Sequence, residues 1–308
     1  MTSSAASAAP RPLRLLTIAG SDSGGGAGIQ ADLKTFAAHG AFGMSALTAV
    51  TAQNTLAVTA VHELPPEVVA AQIDAVFADL GVDAVKIGML ASAPIVRAVA
   101  LALARHGAGR GGRAAAGGAA VPVVLDPVMI AKSGAALLAD DAVAALARDL
   151  LPLATVVTPN LPEARRLAGR GEAGAGDAAE QEELARAIGA GGAGGDGPAV
   201  LVKGGHAAGD EVVDVLFDGT AIHRFAGRRL AGTSTHGTGC TLSSALAVRL
   251  AAGEPLPRAV EGAIAYLRRA MEAAPGLGSG HGPLQHGVQP PPLAAPRTDP
   301  PTAGSTPR

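Results

Sequence analysis

The sequence predicts an α/β protein in which a mostly parallel sheet is covered by helices. From residue 13 onward, short apolar runs typical of strands alternate with segments that have the apolar spacing of helices. Several of the apolar runs are continuous, as expected for strands that are buried on both faces. The repeated order of strand and helix is typical of parallel sheets with helices on their faces.

Each expected strand is one of the apolar runs, and the six lie at 13–19, 45–51, 84–88, 121–125, 154–158 and 199–203. Helical patterns between or after them predict six helices, near 28–39, 66–80, 92–105, 140–150, 161–168 and 178–189. Residues 211–217 and 220–225 predict a hairpin, because the Asp218-Gly219 pair between them is typical of tight turns. Two more helices are expected, near 239–252 and 256–273.

The chain is predicted to form one domain with a flexible segment at each terminus. Residues 1–11 are small, polar and Pro-containing, which is typical of a flexible N-terminus. A single domain is expected over 12–287, and the Pro-rich residues 288–308 are expected to form a disordered tail. Two Gly/Ala-rich segments, 107–120 and 169–198, are predicted to be surface insertions.

The composition excludes several classes of protein. Of the 308 residues, 48% are hydrophobic, which excludes a wholly disordered chain. The 24 Lys and Arg residues against 26 Asp and Glu residues leave a net charge of -2 and no basic surface for nucleic acid. One cysteine cannot form an intrachain disulfide, so a reducing compartment is expected. No apolar run approaches the roughly 20 residues of a membrane helix, so a cytoplasmic protein without a membrane partner is predicted.

A glycine-rich loop, Gly20–Gly28, follows the first predicted strand and opens the first helix. Such a loop can bring backbone N–H groups close to a ligand, although it also fits a simple flexible turn. It does not match the dinucleotide-binding fingerprint, because Ile29 stands where the fingerprint requires glycine. A P-loop sequence is absent as well, so any ATP must bind in another way.

A second glycine-rich segment, Ala231–Cys240, precedes a predicted apolar helix. Unpaired N–H groups and the positive helix end predict an anion hole at the start of this helix. Such a site can neutralise charge on a transferring phosphoryl group. The helix start is also expected to lower the pKa of the Cys240 thiol, which would then be partly thiolate and accept a proton. A small buried apolar cysteine fits the same position.

Polar residues follow three of the predicted parallel strands, where ligands bind in open parallel sheets. Asp126 ends one strand, Asn160 and Glu163 follow the next, and Lys203 closes a third. The acidic groups can hold Mg²⁺ beside substrate phosphates, and Lys203, which precedes two glycines, can reach a phosphate. Asn160 and Glu163 also have nearly the spacing of a capping box, and Lys203 also fits an ordinary turn.

Two further polar residues are candidates for recognising a ring. Gln53 lies past the strand 45–51, and Asp32 lies on the first turn of the helix after the glycine-rich loop. A primary amide and a carboxylate can recognise the donors and acceptors at the edge of a heteroaromatic ring. Each of them also fits a polar residue at the end of an element.

Eight segments in one order carry a family resemblance: Gly20–Lys34, Ala52–Thr55, Lys86–Leu90, Leu125–Met129, Ala131–Gly134, Thr158–Ala164, Val202–His206 and Thr235–Cys240. Together they closely resemble the hydroxymethylpyrimidine/phosphomethylpyrimidine kinases of thiamine biosynthesis, which have a ribokinase-like fold. The match runs from about residue 13 to 286 and includes the late stretch Gly280–His286.

The resemblance implies a three-layer ribokinase-like sandwich and an ATP- and Mg²⁺-dependent kinase, with a homodimer as its assembly. The enzyme would phosphorylate the pyrimidine hydroxymethyl group and then add a second phosphate to the monophosphate. The residues implied to line the pyrimidine pocket are Gly20, Asp32, Gln53, Met89, Val128 and Cys240. Those implied to contact Mg²⁺ or ATP phosphates are Asp126, Asn160, Glu163, Lys203 and Thr238. Those implied in catalysis are Lys203, Gly237, Thr238, Gly239 and Cys240.

Two other functions also fit parts of the sequence. A pyridoxine or pyridoxal kinase of the same fold, or an enzyme with both activities, fits because the two rings are alike in size. Gln53 and Met89 favour the aminopyrimidine. A non-catalytic pyrimidine-binding regulatory protein would be a different class, and the intact Asp126, Glu163 and Lys203 argue against it.

Overall fold

The computed structural model describes residues 11–112, 120–129, 138–171, 176–191, 197–207 and 209–293. Over these ranges the chain forms one sheet of nine strands. The strands are β1 Arg14–Asp22, β2 Phe42–Gln53, β3 Val58–Glu63, β4 Ala84–Ile87, β5 Val123–Leu125, β6 Val156–Val157, β7 Ala199–Val202, β8 Glu211–Phe217 and β9 Ile222–Arg228.

The strand order in the sheet is β3-β2-β1-β4-β5-β6-β7-β8-β9. Neighbouring strands from β2 to β7 pair in parallel. The strands β3, β8 and β9 add antiparallel pairs at the two edges. Every residue of β4 and β5 is buried, as expected for central strands covered on both faces. The carboxyl ends of the parallel strands therefore lie side by side along one rim of the sheet.

Helices cover both faces of the sheet. They are α1 Gly28–Ala38, α2 Pro66–Asp79, α3 Ala93–Arg105, α4 Asp140–Ala145, α5 Leu161–Leu167, α6 Ala178–Gly189, α7 Thr238–Ala251 and α8 Leu256–Glu272. Helices α2 to α6 pack into one apolar core with Leu16 of β1, whereas α1, α7 and α8 pack into a second core with Leu15. Consecutive residues of a strand point to opposite faces, so the two cores lie on opposite sides of the sheet. Among the described helices, none combines the length and apolarity needed to cross a bilayer.

The predicted α/β fold is confirmed, and most of the predicted elements are observed within a few residues of their expected bounds. The strand β3 is absent from the prediction, because its residues are almost all exposed and show no apolar pattern. Its place is set by backbone pairing with β2. The expected helix at 140–150 is observed as α4 followed by a π-helical turn over Leu146–Leu150.

Several predicted features lie partly or wholly outside the described residues: most of 1–11, half of 107–120, parts of 169–198, the segment Ala131–Gly134 and the chain after 293. Residues 288–293 of the expected tail are described and contact the domain. Val288 packs against the second core, and the Arg249 guanidinium donates to the carbonyls of Pro291 and Pro292 at 3.2 and 3.0 Å. The contacts of the domain thus extend beyond residue 287.

Candidate active site

A cavity of about 670 Å³ opens at the carboxyl ends of the parallel strands. This is the position at which open parallel sheets bind their ligands. All but one of the residues predicted for the site line the cavity, and these are Gly20, Gln53, Met89, Asp126, Val128, Asn160, Glu163, Lys203, Gly237, Thr238, Gly239 and Cys240. The exception is Asp32.

Asp126, Glu163 and Lys203 form a charged cluster at the strand ends. The Lys203 Nζ lies 2.8 Å from Asp126 Oδ1. Thr158 Oγ1 donates to the same oxygen at 3.2 Å, and Ser243 Oγ donates to the other at 3.5 Å. Burial alone would lower the pKa of Lys203, but the carboxylates of Asp126 and Glu163 outweigh burial and raise it. Lys203 is therefore a cation at neutral pH.

Within the charged cluster, the negative charge of Glu163 is the least balanced by nearby donors and cations. Its Oε2 accepts from the Asn160 N–H at 2.8 Å, and Asn160 Oδ1 accepts from the Glu163 N–H at 2.9 Å, which confirms the capping box of α5. Its Oε1 accepts from the Met129 N–H at 3.5 Å, which is long for a hydrogen bond. Burial raises the pKa of Glu163 to about 7; Lys203 opposes this rise, and Asp126 adds to it.

Helix α7 begins next to the charged cluster. Gly237, the residue before it, has a φ of +83°, and a side chain there would collide with the backbone of the first glycine-rich loop. A Cβ at Gly239 would lie 3.2 Å from both Asp126 Oδ2 and Lys203 Nζ, so the first turn lies against this ion pair. No side chain caps the N-terminus of α7. Its N–H groups and the positive end of its dipole are therefore suited to an anion.

Cys240 lies on this first turn and is partly exposed. Burial raises the pKa of its thiol to about 11. The Lys86 ammonium and the Gly28 N–H lower this pKa, whereas Asp32 and Asp126 raise it further. Of the two interpretations of this position, the structure favours the small buried cysteine over the partly ionised thiol, because loss of hydration outweighs the helix start and the nearby ammonium. Cys240 carries a neutral thiol at neutral pH.

Asp32 lies behind the cavity wall and is fully buried. Its Oδ2 accepts from Lys86 Nζ at 2.8 Å and from Thr17 Oγ1 at 2.6 Å, and its Oδ1 accepts from Ser244 Oγ at 2.7 Å. The Lys86 side chain lies between Asp32 and the cavity, whose wall it joins. The structure thus differs from the prediction that Asp32 lines a ring pocket, since both of its oxygens are used within the protein.

The predicted ring-binding residues on the cavity wall lie at or just past the carboxyl ends of β1, β2, β4 and β5. A Cβ at Gly20 would be 3.2 Å from Met89 Sδ, so the absence of a side chain at Gly20 leaves room beside this thioether. Gln53 Oε1 accepts from Thr51 Oγ1 at 3.1 Å, which orients the carboxamide. Met89 and Val128 add apolar wall to the same cavity. This part of the cavity combines an oriented amide with apolar side chains, which suits a flat polar ring.

Asp22 and His236, one from each glycine-rich loop, also line the cavity, although neither is among the residues predicted for the site. Asp22 Oδ1 accepts from the Gly24 N–H at 2.8 Å, and Asp22 Oδ2 accepts from the Ala27 N–H at 2.8 Å. His236 Nε2 lies 2.8 Å from Asp22 Oδ2. Burial would raise the pKa of Asp22, but His236 and the loop amides outweigh it and lower the pKa. The one signal for either residue is its presence in the segments that carry the family resemblance.

Another part of the cavity wall comes from the β8–β9 region and α8. It is apolar at Val212, Leu230, Ile264, Leu267 and Met271. These residues are absent from the predictions because they come from separate elements, and no short segment contains them. This wall enlarges the cavity well beyond the needs of a single small ring.

The mixed sheet, its strand-end cavity and the anion site at α7 define a small-molecule kinase of the ribokinase-like class. Residues 22–285 match the profile of the family described as phosphomethylpyrimidine kinase. The chain belongs to that family, and the family resemblance noted in the sequence is confirmed.

Known relatives are similar over most of their length. The chain is 54% identical over 273 residues to the hydroxymethylpyrimidine/phosphomethylpyrimidine kinase of Rhizobium meliloti (strain 1021), covering 88% of this chain and 96% of that protein. The solved phosphomethylpyrimidine kinase of Clostridium difficile 630 has a TM-score of 0.67 and 39% identity, covering 84% of this chain and 99% of that chain. An ADP complex of Bacillus subtilis pyridoxal kinase has a TM-score of 0.77 and 35% identity, and the match covers 90% of this chain and 98% of that chain.

Proposed function

We propose that this chain is an ATP-dependent kinase that phosphorylates 4-amino-5-hydroxymethyl-2-methylpyrimidine and then converts the monophosphate to the pyrophosphate, for thiamine biosynthesis. The observation that carries this proposal is a single cavity shared by Gln53, Met89, the charged cluster and the start of α7. A ring held by the first two residues would present its hydroxyl to a phosphoryl group held by the others. Family membership supports the choice of substrate.

The pyrimidine is proposed to bind between the Gln53 amide at the end of β2 and the apolar side chains that follow β4 and β5. A carboxamide offers both a donor and an acceptor to the aminopyrimidine edge. Gln53 has its orientation restricted by Thr51, so it is prepared for such an edge before the ligand arrives. Met89 and Val128 would contact the faces or the methyl group of the ring.

The transferring phosphoryl group is proposed to lie between Lys203 and the first turn of α7. Phosphoryl transfer depends on alignment and on charge neutralisation more than on covalent chemistry. Lys203 supplies a fixed cation, and the N–H groups of Gly239 and Cys240 are placed at the helix start. Because the transition state is loose, a neutral Cys240 thiol can serve by orienting the substrate hydroxyl instead of removing its proton, and the proton can leave on an oxygen of the transferred phosphoryl group as ADP departs.

The carboxylates of the charged cluster fit Mg²⁺, an ion that takes one or two protein carboxylates beside phosphates and water. Asp126 and Glu163 are the two residues proposed to hold it. The raised pKa of Glu163 marks a buried carboxylate that a cation would stabilise. Within the described ranges, no three His, Cys, Asp or Glu side chains could hold a metal by themselves, as expected when phosphates complete the site. When bound, Mg²⁺ would neutralise charge on the ATP phosphates.

The apolar wall between the β8–β9 region and α8 is proposed to receive the ATP base. Leu267 and Met271 on α8 and Val212 on β8 line this part of the same cavity. The likeness to a pyridoxal kinase solved with ADP supports a nucleotide in this fold.

An ATP-coupled assay with four acceptors tests the proposal: the hydroxymethylpyrimidine, its monophosphate, pyridoxine and ribose. We expect ADP release with the first two acceptors at the highest kcat/KM. The Arg258→Met variant, at an exposed position of α8, is the matched active control. Activity on ribose alone would contradict the proposal.

Pyridoxine or pyridoxal is the second candidate substrate, and the likeness to a pyridoxal kinase favours it. The same assay separates the two candidates through kcat/KM. We expect the pyrimidine to exceed pyridoxine by about tenfold or more, a difference of about 1.4 kcal/mol in transition-state binding. A higher value for pyridoxine would make the alternative the main activity.

A cytoplasmic homodimer without nucleic-acid partners completes the proposal. The net charge of -2 supports the last point, since nucleic-acid binding depends on a basic surface. Sedimentation equilibrium tests the dimer, which we expect at twice the 30.0 kDa chain mass. A single species at the chain mass would contradict it.

A further inference from the structure

The two glycine-rich loops of the site, residues 22–28 and 232–237, are in direct contact. A Cβ at Gly26 would collide with the His236 ring and lie 3.1 Å from Pro283 Cβ. The first loop leads into α1 beside the ring-binding residues, whereas the second leads into α7 and its anion site. The relative position of the two loops therefore sets the separation between ring and phosphoryl group.

A buried polar pair joins these loops. Asp22 is 3% exposed and His236 is 8% exposed, and His236 Nε2 donates to Asp22 Oδ2 at 2.8 Å. The same Asp22 oxygen accepts from the Gly26 N–H at 3.0 Å, so one carboxylate holds the backbone of the first loop and the side chain of the second. A charge-assisted bond in a buried environment is stronger than one in water.

The first loop also holds the ring-binding amide. Ser23 Oγ donates to the Gln53 carbonyl at 2.8 Å, and the Gln53 N–H donates to Ser23 Oγ at 2.8 Å. The Gln53 carboxamide lies 3.4 Å from His236 Nε2. A continuous set of contacts thus runs from the second loop, through His236 and Asp22, to Gln53, the residue proposed to recognise the pyrimidine.

We propose that Asp22 and His236 are a positioning pair for phosphoryl transfer: they keep Gln53 and the anion site of α7 at a fixed separation. This inference rests on the proposed function. Neither residue is assigned a contact with the reacting atoms, and the pair acts through Gln53 and through the loop before α7. Loss of the pair lets the ring and the phosphoryl group drift apart, and a misplacement of about 1 Å costs about 100-fold in rate.

Two variants of His236 separate positioning from general stability. In His236→Gln, the carboxamide nitrogen can replace Nε2 as a donor to Asp22, whereas His236→Met has similar length and no donor. We expect His236→Met to lower kcat for the pyrimidine about 100-fold and to raise its KM, with the KM for ATP within about twofold of wild type. His236→Gln should retain most of the activity. Both variants should remain folded at the assay temperature, as their melting curves would show, because the N–H groups of Gly24, Gly26 and Ala27 still satisfy the Asp22 carboxylate.

A double-mutant cycle with Asp22→Asn tests whether the two residues act as one unit. The double variant Asp22→Asn/His236→Met should then be no slower than the worse single variant. Additive losses would overturn the pair. So would a His236→Met enzyme with wild-type kcat and KM, a His236→Gln enzyme as impaired as His236→Met, or a parallel rise in the KM for ATP.

The acceptor used keeps this test separate from the proposed function. If the wild-type enzyme phosphorylates pyridoxine and not the pyrimidine, the proposed substrate is wrong. The same variants then test the positioning pair on pyridoxine, with the same expected loss of kcat.

Discussion

Two buried lysine–aspartate pairs lie at neighbouring strand ends, and they differ in how completely their charges are matched. In each pair the Nζ and Oδ atoms are 2.8 Å apart. Lys86 and Asp32 are both fully enclosed, and hydroxyls of Thr17 and Ser244 satisfy the remaining capacity of the carboxylate. The Lys203–Asp126 pair opens to the cavity and has Glu163 as a second carboxylate.

This difference shows that the geometry of an ion pair does not by itself identify a functional site. The Lys86–Asp32 pair is neutral as a unit and both of its side chains are buried, so it supports the wall of the cavity. The charged cluster has two carboxylates against one ammonium, and its spare negative charge suits a divalent cation while Lys203 suits a phosphate. Unmatched charge together with access to the cavity distinguishes the charged cluster from the enclosed pair.

The largest expected effect tests the enclosed pair. Lys86→Met leaves the Asp32 carboxylate buried without its ammonium, and breaking a buried pair in this way costs about 3–5 kcal/mol. We expect the free energy of unfolding in urea to fall by that amount. The double variant Asp32→Asn/Lys86→Met, which removes both charges, should recover most of the loss. A stability close to wild type in the single variant would show that the pair is not enclosed.

The next effect tests the open pair. Lys203→Met removes the cation proposed to neutralise the transferring phosphoryl group, and loss of one preorganised donor costs about 10²–10³ in kcat. The coupled assay with ATP and the pyrimidine measures this loss, with Arg258→Met as the control. Turnover within about tenfold of wild type would remove Lys203 from the reaction.

The pKa of the Cys240 thiol is affected by charges of both pairs, so its reactivity reports on their combined effect. Because burial raises the pKa of its thiol to about 11 from 9.0, alkylation by iodoacetamide at neutral pH should be about 100-fold slower than for an exposed cysteine. The rate should keep rising with pH without a plateau below pH 10. As the chain has a single cysteine, mass spectrometry follows the reaction directly. A plateau near pH 8 would indicate the thiolate that the structure disfavours.

The smallest expected effect tests the spare negative charge of the charged cluster. The pKa of Glu163 is raised from 4.5 to about 7, so between these values the folded protein holds a proton that the unfolded chain has released. Raising the pH through this range should therefore lower stability, on the order of 2 kcal/mol without Mg²⁺ or ATP. In Glu163→Gln this fall of the free energy of unfolding with pH should vanish, whereas the exposed control Glu261→Gln should keep it. An unchanged slope in Glu163→Gln would mean that the carboxylate is already compensated.

Much of the fold was predictable because the central strands are continuous apolar runs. The runs at 84–88 and 199–203 are observed as β4 and β7, and the hairpin around Asp218-Gly219 is observed as β8 and β9. The strand β3 has no such run and is held by pairing with β2. Its position depends on a neighbouring strand more than on its own residues.

The residues of the candidate site could largely be predicted from the sequence. Their charge states and their contacts were less predictable. Asp126, Glu163 and Lys203 follow successive parallel strands, and the topology brings their side chains together. The sequence around Cys240 fits either a partly ionised thiol or a small buried one, and burial favours the neutral thiol. Asp32 was expected on the cavity wall, but it is enclosed behind Lys86. Hydration and partners, which local sequence does not encode, decide both outcomes.

The sequence by itself determined the alternation of buried strands and covering helices, and with it the rim at which polar residues meet. Only the tertiary structure decided which of those polar residues have their charges paired within the protein and which remain accessible to a ligand. Asp22 and His236 are 214 positions apart and yet share a hydrogen bond, so no local pattern could connect them. Burial and charge pairing are properties of the packed chain, because both depend on which distant residues exclude water from each group.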